Sequence, residues 1–65
     1  MKKFEDLNTE EKQMLINEFI TTNQMNTTQE NLPIELLKYL KEKNVKVEDP
    51  KDFQVLYDQI ESKLF

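Results

Sequence analysis

The side chains of this chain that could do chemistry are carboxylates, amines, two phenols and one serine hydroxyl. Glu10 with Glu11 and Asp49 with Asp52 are the carboxylate pairs that could divide acid and base roles or hold Mg2+. Neither spacing builds a site. Adjacent helical residues point about 100 degrees apart, and no glycine-containing calcium loop or further ligand cluster surrounds either pair. Tyr39, Tyr57, the lysines and Ser62 complete the reactive inventory, but Tyr57 falls in an apolar stripe and Ser62 has no histidine to activate it. Ser62 also lies in Glu-Ser-Lys near the end of the chain rather than at a helix start after Asp, which argues against a carrier-protein role.

Gly, Ala, Arg, His, Cys and Trp are absent altogether. Lacking His and Cys, the chain has no soft metal site of the usual kind, no thiol or imidazole nucleophile and no disulfide. Lacking Gly, it has no phosphate loop of the Walker or dinucleotide type, because no residue lets the backbone approach a pyrophosphate closely. The expectation is a protein that is not an enzyme and uses neither cofactor nor metal. Ala, Gly and Arg have largely GC-rich codons, whereas the abundant Lys, Asn, Ile and Phe have AT-rich ones. An AT-rich bacterial or phage genome would produce this bias without selecting for function.

The elements that must position any functional surface read as all-α: a small three-helix bundle in a single domain, residues 1–65, with a polar connection between helices 1 and 2. Asn8 is an N-cap and Glu11, three residues on, completes a capping-box pattern that opens a helix over residues 9–23. Leu15, Ile16, Phe19 and Ile20 share one face of it, with Phe4 and Leu7 placed to fold back onto that face. Residues 21–31 have no apolar periodicity and are rich in side chains that compete for backbone hydrogen bonds, so they form the least ordered part; because so long a loop is uncommon in a compact domain, either helix 1 runs on to about Met25 or a short turn forms near Thr28. Pro33 suits the first turn of a second helix, which ends near Asn44, a left-handed cap in a chain without Gly. Val45-Lys46-Val47 is too short for an independent strand and reads as an extended connector. Asp49-Pro50 repeats the cap-plus-proline signal, and Phe53, Leu56, Tyr57, Ile60 and Leu64 form the apolar stripe of a third helix.

At 65 residues, a single core supplies only about 3–5 kcal/mol, and with disulfides and metals excluded a second subunit or a partner is the remaining support. Helix 2 offers the broadest apolar surface: Ile34, Leu36, Leu37, Tyr39 and Leu40 cover about 220 degrees, more than one neighbour needs. One flank of it, Leu36 and Tyr39 with the aliphatic stem of Lys43, is the expected partner-binding surface. Lys38, Lys41, Lys43 and Lys46 form a basic island in a chain of net charge −4. Pair spacing with Glu35 and Glu42 makes much of that island an ordinary solvated face.

The overall acidity and the absence of Arg argue against direct nucleic-acid binding. A helix-turn-helix reading fails because the third helix sets Asp52, Asp58 and Glu61 against Lys51 and Lys63. No apolar run approaches the roughly 18 residues of a membrane span, and Met1-Lys2-Lys3-Phe4 leads into Glu5 and Asp6 rather than an apolar signal segment, so the expected compartment is cytoplasmic. The leading expectation is a non-catalytic protein-binding module, a small regulator or inhibitor of a larger cytoplasmic protein, encoded by a phage or mobile element. Two alternatives stand beside it. One is an acidic DNA mimic presenting Glu5, Asp6, Glu10, Glu11, Glu48, Asp49, Asp52, Asp58 and Glu61 to a DNA-binding protein; the other is a self-assembling, homodimeric structural subunit.

Overall fold

The computed structural model describes residues 2–65, in the order β1 (Lys2–Lys3), a 3-10 turn (Phe4–Asp6), α1 (Thr9–Asn23), α2 (Leu32–Glu42), β2 (Val45–Lys46) and α3 (Pro50–Leu64). Helices dominate, and each starts where the sequence signals. At α1 the Asn8 side chain accepts from Glu11 N at 2.8 Å while Asn8 N donates to Glu11 Oε1 at 3.1 Å, satisfying two amides that the first helical turn leaves free. At α3 the Asp49 side chain accepts from Lys51 N at 2.9 Å and Pro50 fills the first turn.

The polar connection between α1 and α2 is tied by its own side chains. Thr28 N donates to Asn31 Oδ1 at 2.7 Å, Asn31 N donates to Thr28 Oγ1 at 3.2 Å, and Asn31 Nδ2 donates to Asn26 O at 3.1 Å. Of the two outcomes expected here the turn near Thr28 is the one seen, and α1 ends at Asn23 rather than at Met25. The competition for backbone groups that removes helical periodicity here also supplies the bonds that hold the turn.

α2 begins one residue before Pro33, at Leu32, and this residue matters because it is fully buried. The helix ends at Glu42, and two residues on Asn44 reverses the chain with a φ of 57°, in the left-handed region that Asn tolerates better than most residues. That reversal sends the chain into Val45 and Lys46, which pair in parallel with Lys2 and Lys3. Lys2 N also donates to Asn44 O at 2.9 Å. The reading of residues 45–47 as an unpaired connector is corrected here: the pairing edge comes from the opposite end of the chain, a distance over which no local pattern carries information. The register sets Lys3 beside Lys46, and Glu48 lies 3.6 Å from each ammonium, offsetting a like-charge pair that would otherwise oppose the ladder.

The core is Phe4, Ile16, Phe19, Leu32, Leu36, Tyr39, Leu40, Leu56 and Ile60, with Leu7, Leu15, Ile20, Val45, Val47, Phe53, Tyr57 and Leu64 half-buried around it. Thus the stripes of α1 and α3 face inward as expected, and Phe4 does fold back onto them. α3 packs against both other helices. The aromatic edge of Tyr39 meets Phe19 with ring centroids 5.3 Å apart at 73°, joining α2 to α1 in a T-shaped pair.

Candidate functional site

The apolar arc of α2 is divided between two environments. Leu32, Leu36, Tyr39 and Leu40 are buried, while Ile34 and Leu37 remain 58% and 57% exposed. Leu36 and Tyr39, expected to dock a partner, lie in the core of the chain, Leu36 only 1% and Tyr39 6% exposed. The reason is the position of Leu32. Counted with Leu36, Tyr39 and Leu40, it centres the buried face on Leu36, and a helix read as starting at Pro33 misses that contribution. The surface left over is the opposite flank of the arc, where Ile34, Leu37 and Lys41 fall within about 60 degrees of one another.

Lys43, the third residue of the expected docking flank, stays at the surface and is used internally. Its ammonium pairs with the Glu18 carboxylate and lies 5.8 Å from the centre of the Tyr39 ring. The Tyr39 hydroxyl donates to Leu15 O at 3.2 Å, so Tyr39 and Lys43 together fasten the end of α2 to α1. Burial first, and then the neighbouring Glu18 carboxylate, disfavour the phenolate and push Tyr39 up to about 12. Lys43, by hydrogen bonding and by its charge, holds Glu18 below its ordinary range. These shifts report a structural junction. The polar hollow beside it, about 180 Å³ and lined by Glu18, Thr22, Asn23, Glu35, Lys38 and Tyr39 among others, mixes both signs of charge.

A more apolar concavity lies on the other side of α2. Leu37, Leu40 and Lys41 form one wall, β2 and Val47 supply Val45, Lys46 and Val47, and Phe53 from the first turns of α3 closes the end. The groove holds about 340 Å³ and opens widely to solvent. Its floor exists because Asn44 turns the chain back alongside α2 and because Asp49-Pro50 starts α3 immediately afterwards. The charged residues in its lining are Lys41 and Lys46, with no carboxylate among them. Lys46 shares Glu48 with Lys3, whereas Lys41 has no ion-pair partner among the described residues.

Of the lysine island, then, Lys38 pairs with Glu35 at 3.8 Å, Lys43 with Glu18, and Lys41 and Lys46 are left at the groove. The sequence reading missed Leu37, Val45, Val47 and Phe53 as site residues. The available signal was the width of the α2 arc together with Lys41 on its far flank. Phe53 and Val47 gave none, because their apolar character fits a core equally well.

Among the described residues no three acidic groups come together as metal ligands, and Glu11 and Asp49 are occupied as helix caps. Tyr57 is raised from its ordinary value by burial and then by Glu61 and Asp58, and Ser62 is exposed on α3. Among the described residues no helix is long and apolar enough to cross a membrane. Comparison of the chain with protein-family models, with curated proteins and with solved structures found no match.

Proposed function

We propose that this chain is a non-catalytic protein-binding module, a small regulator or inhibitor that acts by occupying a surface on a larger protein. The observation that carries the reading is the solvent-open apolar groove between α2, β2 and α3, continuous along α2 with the exposed Leu37 and Ile34. Water-exposed apolar side chains collected around one concavity are the usual mark of a contact surface, whereas scattered ones are ordinary.

The test compares the protein with its Leu37→Glu variant in pull-downs from extracts of the source organism, each checked first by circular dichroism for an unchanged helical spectrum. A regulator of this kind holds a defined protein partner at fixed stoichiometry, and Leu37→Glu releases it. Retention of the same partner by the variant, or a failure of the native chain to hold any protein, would refute the reading.

A further inference from the structure

We infer that the groove between α2, β2 and α3 receives an acidic amphipathic helix of another protein, whose apolar side seats against Leu37, Val45, Val47 and Phe53 while its carboxylates meet Lys41 and Lys46. This rests on the proposed role as a protein-binding module and specifies the chemistry of the partner. The groove walls are apolar and its only charged lining residues are two lysines, in a chain whose net charge is −4. The local sign is thus opposite to that of the molecule as a whole. A carboxylate-bearing segment is attracted to these two lysines within a molecule whose net charge is negative, which gives orientation as well as contact.

The occupant's shape follows from what the groove presents. β2 lies between β1 on one side and α2 on the other, so the groove offers side chains more than a free strand edge. The exposed flank of α2 from Ile34 to Lys41 spans about 10 Å at about 1.5 Å per residue, which matches two turns of a docking helix. Apolar anchors at i, i+3 or i+4, and i+7 fit that length, with Asp or Glu bordering them.

A second copy of this chain is a poorer occupant. A two-fold interface through the groove would set Lys41 and Lys46 of one protomer against the same residues of the other, and like charges brought together in a partly dry interface oppose association. The Glu48 carboxylate offsets that repulsion only in part, because one carboxylate serves both Lys3 and Lys46 and none is paired with Lys41 among the described residues.

The experiment is a display selection of random peptides of about 16 residues, roughly 24 Å as a helix, against the native chain and in parallel against a Lys41→Glu/Lys46→Glu variant. Selected peptides are then titrated into 15N-labelled protein to locate their contacts. The expected result is enrichment of sequences with helical apolar spacing and flanking Asp or Glu, which shift the amides of Leu37, Lys41, Val45, Lys46 and Phe53. Their binding should weaken about tenfold or more in the double variant, and should also fall as NaCl rises from about 50 to about 300 mM. Neutral or basic peptides enriched at the groove would overturn the acidic partner while leaving the binding-module reading intact. Absence of any peptide contact at the groove would overturn both. Concentration-dependent self-association abolished by the double variant would overturn the inference in favour of a second copy.

Discussion

Leu36 and Leu37 are adjacent in sequence and have opposite fates, and replacing each with Ala tests the division of α2 between core and groove. Leu36 is 1% exposed and Leu37 57% exposed. Truncating a fully buried leucine removes its transfer free energy and leaves a cavity, at about 2–5 kcal/mol. A core of this size supplies about 3–5 kcal/mol in total, so Leu36→Ala takes most of the margin. Taking about 3 kcal/mol for the loss, and about 4–8 °C per kcal/mol in a domain of 60–100 residues, the thermal midpoint falls by about 12–24 °C. Leu37→Ala gives up little buried area and gains slightly in helix propensity, so its change stays within about 0.5 kcal/mol, or less than about 4 °C. Far-ultraviolet circular dichroism followed through heat and urea unfolding, with mass in solution measured on the same samples, reads both effects. Equal midpoints for the two variants, or a larger loss for Leu37→Ala, would refute the placement of these side chains. A fall in oligomer mass on Leu36→Ala with no loss of stability would return Leu36 to an interface.

Two further outcomes follow from the junctions that shape the groove. Asn44 holds a φ of 57°, so Asn44→Val should destabilise by about 1–2 kcal/mol and speed amide exchange at Lys2, whereas Asn44→Gly should match or exceed the native urea midpoint. Tyr39 titrates near 12 in the folded chain against about 10 when unfolded, so between those values the native state binds more protons and stability declines as pH rises from 10 towards 12. Tyr39→Phe should flatten that decline without removing it, because Tyr57 is shifted in the same direction; urea midpoints at about pH 9, 10.5 and 11.5 provide the comparison. A Tyr39→Phe profile superimposable on the native one would place the titrating group elsewhere.

What could be read from the residues alone was whatever the chain states locally. The capping box at Asn8 and Glu11, Asp49-Pro50 ahead of α3, and Asn44 as the left-handed stop of α2 each involve groups within a few residues, where backbone geometry and side-chain reach settle the outcome. The stripes of α1 and α3 were legible for the same reason, since a helical period is a local property. The absence of His, Cys and Gly removed whole classes of chemistry whatever the fold.

Tertiary structure decided the rest, because it concerned which surface meets which. The parallel pairing of Lys2–Lys3 with Val45–Lys46 joins segments more than forty residues apart, and short lysine-bearing segments carry no sign of one another. The wide arc of α2 announced more apolar surface than one neighbour requires, but not which flank would be covered. Leu32 and the packing of α1 and α3 drew Leu36 and Tyr39 inward and left Leu37 beside Lys41 at the surface. Apolar side chains are alike in their aversion to water, and only the placement of neighbouring helices determines which of them are relieved of it.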